Sequence, residues 1–196
     1  MNDHKGFFAM MARMKYIERW ALMRNSVSEN ICEHSLEVAM LAHGLGIIGR
    51  KRFGKDLSPE RLAMLGMYHD CTEIITGDMP TPVKYANDEL QEAYKAIEDS
   101  AAHRLLEMLP EDLRAEYESY FLPEQITPEE YRYVKAADKL SALIKCIEEE
   151  KTGNQEFRSA KQATYESLQQ MNMPEVTVFC EVFLPEYYKT LDELEH

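Results

Sequence analysis

Two histidines and two aspartates, His34, His69, Asp70 and Asp138, fall in three separate stretches of this chain whose apolar neighbours recur with helical spacing. His34 shares a face with Val38 and Leu41, His69 follows Leu62 and Gly66, and Asp138 stands between Ala136-Ala137 and Leu140. A carboxylate turned toward a helical interior is costly unless it is paired or bound to a cation. Two neutral imidazoles and two carboxylates supply two negative charges, which match one divalent ion. Nitrogen and oxygen donors without thiolate suit an octahedral ion such as Mn²⁺, Co²⁺, Ni²⁺ or Fe²⁺ and leave positions open for water and substrate. A structural zinc would favour cysteine and a closed shell. Taken singly, each residue has an ordinary structural explanation; open positions at the ion and the nearby Glu73 point to catalysis. Glu73 follows His69 by four residues and Asp70 by three, so on a helix all three share one side. A carboxylate beside a cation that acidifies water is an arrangement for metal-assisted hydrolysis.

The elements that must position these groups read as helices throughout, an all-α bundle. Phe8, Met11, Ala12 and Ile17 predict a first helix running to about Trp20. A second starts at Ser28 and reaches about Gly49, with the cluster Arg50-Lys51-Arg52 complementing its dipole. Ser58-Pro59 opens a third, which continues through His69. Residues 77–82 contain two prolines and read as loop. Helices are expected from Asp88 to Leu109, stopped by Pro110, and from the capping box Thr127-Pro128-Glu129-Glu130 to the break at Gly153-Asn154. Phe157–Met171 and Val176–Leu194, broken near Pro185, complete the chain, which is expected to be one domain over residues 1–196.

Composition narrows the partners. A formal net charge of −13 argues against a non-specific nucleic-acid or anionic-membrane binder, and a small anionic substrate needs a local cationic site. Arg13, Lys15, Arg19 and Arg24 offer one near the N-terminus. The apolar run Val38–Ala42 is too short to cross a bilayer. Cys32, Cys71, Cys146 and Cys180 form no CxxC pair, and with no export signal they suggest reduced thiols and a cytoplasmic protein. Tyr187, Tyr188 and the stretch Met171–Met173 fit an interface or a core equally well.

The order His34, His69-Asp70, Asp138 resembles that of the HD-domain metal phosphohydrolases. The strings R19-W20-A-L-M-R-N25, E33-H34-S-L36, M67-Y-H-D70 with Glu73, T76-G-D-M-P-T-P-V-K-Y85 and E148-E…G153-N-x-E-F157 narrow the likeness to bacterial HD-domain 5′-deoxynucleotidases of the YfbR type. It runs from about Phe7 to Phe157 and is diffuse in the last forty residues, which are expected to belong to the same domain. The resemblance implies an HD-domain bundle with a metal site between helices and one divalent transition metal per subunit, Co²⁺, Mn²⁺ or similar. It implies hydrolysis of deoxynucleoside 5′-monophosphates with little base selectivity, in a homodimer. It places His34, His69, Asp70 and Asp138 at the metal, the two aspartates also bordering the substrate, and Glu73 at the reaction. Arg19 would orient the phosphate, Trp20 would line the sugar pocket, and Asp78, Met79, Pro80 and Thr81 would touch the nucleotide. Trp20 packed where a 2′-hydroxyl would sit leaves that hydroxyl unpaired, a cost of about 1–3 kcal/mol, or roughly 5- to 150-fold. Asp78 fits either the 3′-hydroxyl or the leaving oxygen.

The residues keep other HD chemistries in view. A (p)ppGpp hydrolase carries HDxxED, whereas this chain reads His69-Asp70-Cys71-Thr72-Glu73-Ile74 and lacks the second acid. A dNTP hydrolase of the large type needs a longer chain and more basic contacts. A non-catalytic sensor of nucleotide or metal is the alternative of a different class, and the presence of Glu73 and Arg19 weighs against it.

Overall fold

The computed structural model describes residues 5–84 and 86–195; Tyr85, the last residue of one of the strings above, lies outside them. All regular structure among the described residues is helical, apart from one isolated bridge between Glu18 and Asn30. Helix α1 (Phe7–Met11) runs into a 3₁₀ turn over Ala12–Tyr16 and stops there, short of the expected end near Trp20. The cause is tertiary. Residues 17–19 are drawn out to pair with 29–31, Ile31 N donating to Ile17 O (2.9 Å) and Arg19 N to Glu29 O (2.8 Å). The same pairing delays α2 (Ile31–Phe53) by three residues relative to Ser28. Its cap is Asn30, in a reciprocal box with Glu33, and it ends at Gly54, whose φ of 65° suits glycine.

Helix α3 (Pro59–Tyr68) begins on the expected Ser58 cap and ends one residue before His69. Residues 69–72 form tight turns closed by Cys71 N to Tyr68 O, Glu73 N to Asp70 O and Ile74 N to Cys71 O, before α4 (Glu73–Thr76). Glu73 therefore does not share one continuous helix with His69, yet the i→i+3 turn keeps it beside Asp70, because residues three apart eclipse in this geometry. The expected loop 77–82 gives way at Thr81 to the single turn α5 (Thr81–Lys84), where Pro82 sits in the first turn and its missing N–H costs nothing.

Helices α6 (Asp88–Leu106) and α7 (Glu111–Phe121) follow, α6 ending three residues before Leu109. Helix α7, which the sequence reading did not foresee, buries only Phe121 of its residues. Helix α8 (Pro128–Lys151) has the expected Thr127–Glu130 box. Helices α9 (Arg158–Gln170), α10 (Pro174–Val182) and α11 (Leu191–Leu194) close the chain, with Pro185 in a 3₁₀ turn between the last two. Met173 is buried, and Met171 and Tyr187 pack against the core, so core packing explains that group; Tyr188 remains exposed.

The main core is the junction of α2, α3 and α8, built from Val38, Leu45, Leu62, Leu65, Leu140 and Ile144. Each such leucine contributes roughly 1.5–3 kcal/mol by leaving water. Helix α2 has the length and apolar content of a membrane-crossing helix, but half of that window is buried, as befits a central helix. A second cluster joins Phe7, Ile31, Cys71, Leu105 and Phe121. Where α3 meets α2 the backbones nearly touch: a Cβ on Gly66 would lie 3.0 Å from the Ala39 Cα. That approach brings the end of α3 against the first turns of α2.

Candidate metal and substrate site

His34 projects from the first turns of α2 and is 1% exposed. Its Nε2 lies 3.4 Å from Asp70 Oδ2, in the turn after α3, and 3.3 Å from Asp138 Oδ1 on α8. His69 Nε2 is 3.1 Å from the same Asp70 Oδ2, and the two imidazole rings sit 5.2 Å apart. Donor atoms of His34, His69 and Asp70 all fall within 4.8 Å of one another. Ligands 2.0–2.2 Å from one ion stand about 3 Å apart when adjacent, so these separations fit a shared cation.

The hydrogen bonds fix which nitrogens can ligate. His69 Nδ1 meets the Gly66 carbonyl at 2.8 Å, and a carbonyl only accepts, so Nδ1 carries the proton. Ser141 Oγ donates to Glu37 Oε2 (2.5 Å), so its lone pair accepts from His34 Nδ1 (3.0 Å). Both Nε2 lone pairs therefore converge on the aspartates, and neither Nε2 has a hydrogen-bond partner. Ser141 and Glu37 were not foreseen. Their signal was positional: Ser141 lies three residues after Asp138 on α8, and Glu37 three after His34 on α2.

Electrostatics give the cluster its sign. Burial disfavours charge on Asp70 and Asp138, yet His69 and His34 around the former, and Lys135 and His34 around the latter, hold both well below the usual carboxylate range. Burial likewise disfavours a charged His34, but Asp138, Asp70 and Glu29 outweigh it and raise its pKa well above the ordinary value. The carboxylates draw positive charge to this point. Glu73 behaves oppositely: burial and the charges of Asp70 and Asp78 push it up to about 9, and its buried Oε2 has no partner. Asp78 is raised too, by burial foremost, with Arg19 opposing.

Arg19 leaves the bridged segment and points its Nη1 at Asp70 Oδ2, 3.4 Å away. Trp20 adopts φ 59°, a left-handed conformation that a bulky side chain rarely takes. Its Nε1 donates to Glu29 Oε2 at 2.6 Å, and its ring packs on Phe157 at 5.2 Å. Glu29, also missed in the sequence, joins three groups: Oε2 faces Trp20 Nε1 and Arg19 Nε (3.7 Å), and Oε1 faces His34 Nδ1 (3.4 Å). It lies in the extended segment before α2, where the sequence predicts the first turn of that helix. The structure thus brings His34, His69, Asp70, Asp138, Arg19, Glu73 and Asp78 to one place. Met79, Pro80 and Thr81 continue the chain from Asp78 into α5, and among the described residues no hydrogen bond joins their side chains to the cluster.

The same arrangement of helices is that of the HD-domain phosphohydrolases. One from Listeria innocua superposes with a TM-score of 0.80 at 22% identity, covering 96% of this chain and 91% of that one. A cyanophage S-2L HD phosphohydrolase, described as bound to dA and one catalytic Zn²⁺, superposes with a TM-score of 0.62 at 21% identity, over 88% and 93% of the two chains. At the level of sequence the relation is closer. The family described as 5′-deoxynucleotidase YfbR-like matches residues 6–187, and the chain belongs to that family. A 5′-deoxynucleotidase of Vibrio cholerae is 48% identical over 188 residues, 96% of this chain and 97% of the relative.

Proposed function

We propose that this chain is a divalent-metal 5′-deoxynucleotidase, cleaving 2′-deoxynucleoside 5′-monophosphates to deoxynucleoside and phosphate with little base selectivity. The observation that carries the reading is the convergence of two Nε2 nitrogens and two half-buried aspartates, held below the usual carboxylate range, beside Arg19 and Glu73. His34, His69, Asp70 and Asp138 would hold the cation. When bound, it would supply charge to a phosphoryl oxygen and lower the pKa of water. Zn²⁺, named in the cyanophage neighbour, joins Co²⁺ and Mn²⁺ as an ion the donor set accepts.

The chain's own groups do the rest. Arg19 keeps guanidinium donors beyond those facing Asp70 and Glu29, and orients a phosphate in the planar fork that lysine cannot offer. Glu73 Oε2 faces the site unpartnered and takes or returns the proton of the attacking water; positive charge beside Asp70 relieves the repulsion that raises its pKa. Trp20, tied through its indole nitrogen and backed by Phe157, presents a fixed face to the sugar and excludes a 2′-hydroxyl. Asp78, Met79, Pro80 and Thr81 border the nucleotide. The four cysteines are unpaired, which suits a reducing cytoplasm, and the exposed stripe Leu36, Met40 and Ile47 along α2 suits a homodimer.

Metal-stripped protein should release phosphate from dAMP only after Mn²⁺, Co²⁺ or Zn²⁺ is returned, with 3′-dAMP inert and AMP poorer. Equal turnover in chelator, or of the 3′-ester, would contradict the assignment. Trp20→Ala should bring the dAMP and AMP kcat/KM values together by roughly 5- to 150-fold, and an unchanged ratio removes Trp20 from selectivity.

A further inference from the structure

Residues 20–30 contain no helix, yet several of their backbone polar groups are met by the C-terminal end of α8 and the turn that follows it. Ser26 N donates to both oxygens of Glu149, at 2.8 and 3.1 Å. Lys145 Nζ donates to Val27 O at 2.5 Å and to Glu149 Oε1 at 2.6 Å. Asn154 Nδ2 reaches both Arg24 O and Glu149 Oε2 at 2.8 Å, and Arg24 N donates to Glu156 at 3.1 Å. Glu149 is 1% exposed and Lys145 6%. A buried ion pair is poor value as a stabiliser compared with apolar packing, so its multiple ties to one loop call for another explanation.

The loop it grips contains the strained Trp20. A bulky side chain in the left-handed region is strained and persists only where its surroundings over-determine it. Trp20 is held on one side by Glu29 and on the other by Phe157, whose ring lies 5.8 Å from Lys145 Nζ. Helix α8 therefore bears Asp138 in the cluster and, eleven residues or about 16 Å further on, the carboxylate that anchors the loop.

We propose that Glu149, with Lys145 and Asn154, is a positioning residue for the substrate end of the site: it fixes residues 24–27 on α8 and thereby holds Trp20 in its left-handed conformation with Arg19 facing the aspartates. The proposal rests on reading Arg19 and Trp20 as substrate contacts. It makes α8 a ruler between the cation and the sugar.

Trp20 is the only tryptophan, so its fluorescence reports the loop without any assay of activity. In Glu149→Ala the emission should shift to the red and acrylamide quenching should rise. The KM for dAMP should rise by roughly tenfold, as expected for losing hydrogen bonds to a charged group, with kcat changed less. Mn²⁺ affinity, measured by calorimetry, should stay within about twofold, since none of the four proposed ligands is touched. Unchanged emission with unchanged KM, or loss of Mn²⁺ binding in parallel with KM, overturns the proposal in favour of a purely structural pair. Asn154→Ala removes fewer ties and should move emission and KM the same way by less; wild-type behaviour there overturns it even if Glu149→Ala does not fold. If emission moves while KM does not, and Trp20→Ala also leaves KM unaltered, the anchoring stands and the substrate role of Trp20 falls.

Discussion

Gly66→Ala tests whether the contact between α2 and α3 sets the geometry of the cluster. The added Cβ would lie 3.0 Å from Ala39 Cα, 3.1 Å from Ala39 N and 3.1 Å from the Val38 carbonyl carbon. All three are backbone atoms, so no side chain can swing away. Carbon contacts relax at about 3.5–4.0 Å, which requires the helices to part by roughly half an ångström. Overpacking of this kind costs about 1–3 kcal/mol. The gain from replacing a helical glycine is about 1 kcal/mol, so the net loss is at most about 2 kcal/mol. At about 2–4 °C per kcal/mol for a chain of this size, Tm should fall by no more than about 8 °C.

The site should suffer more than the fold. Gly66 O accepts the His69 Nδ1 proton, so the displaced carbonyl carries the imidazole with it, away from His34 on α2. Metal–ligand distances tolerate only about 0.2 Å. Mn²⁺ affinity should drop roughly 10- to 100-fold, the scale seen when a group supporting a ligand is lost. Gly44→Ala on α2 is the control: nothing lies within 4 Å of its Cβ, so it should melt up to about 1 kcal/mol more stably and bind metal normally. Calorimetric Mn²⁺ titration and thermal melts of both variants decide. If Gly66→Ala binds Mn²⁺ and melts like Gly44→Ala, the close approach does not set the site.

Other perturbations separate the remaining roles. Glu73→Gln should bind Mn²⁺ and dAMP while kcat falls about 100- to 10,000-fold, and near-normal turnover would take Glu73 out of proton transfer. Ser141→Ala removes the nearer of the two acceptors at His34 Nδ1, leaving Glu29 at 3.4 Å, and should weaken Mn²⁺ binding roughly 10-fold at unchanged helicity; unaltered affinity would show that the serine does not orient the ring. Burial raises the Glu149 pKa, but Lys145, Asn154 and the Ser26 amide outweigh it and hold it at about 2, below its ordinary 4.5. A depressed acid stabilises the fold fully above its unfolded value and loses that contribution as pH falls through the folded one. By linkage this amounts to at most about 3 kcal/mol. Urea midpoints of wild type and Glu149→Gln should therefore differ at pH 7 and converge between pH 4.5 and about 2. A gap that persists at the acid end would refute it.

What could be read in the sequence was whatever one helix encodes by itself. Ser58-Pro59 and Thr127-x-x-Glu130 mark their caps because the partner atoms lie within one turn. The proposed ligands stood out because acids and imidazoles on apolar helical faces need a reason to be there. What escaped depends on contacts between distant segments. The pairing of 17–19 with 29–31 ended the first helix early, although the local residues favour helix. Glu29 gathers Trp20, Arg19 and His34 from an extended segment that the sequence reads as the start of α2, and Ser141 meets Glu37 only once α2 and α8 are side by side. Glu149 and Asn154 lay inside a recognisable string, but their target, the backbone of residues 24–27, has no signature in side chains.

Charge balance links the cation to the substrate. Around the cluster stand Glu29, Asp70, Asp78 and Asp138, against Arg19 and Lys135; Lys84 is engaged by Glu98 at 2.9 Å, and Glu73 is held largely protonated. With His34 and His69 counted as the neutral ligands that a cation requires, the balance is two net negative charges, in a chain of net charge −13. A phosphate dianion would be repelled from such a site, and Arg19 alone cannot reverse the sign. One divalent cation brings the group to neutrality and places its own charge where the phosphoryl oxygens must lie. Binding of product should then depend on metal even though the phosphate-orienting arginine belongs to the protein. Inorganic phosphate titrated into the protein should register with Mn²⁺ loaded and fail to register after chelation. Equal binding in both states would mean that Arg19 and its neighbours already form an anion site, and that the cation serves the reaction and not the capture of its substrate.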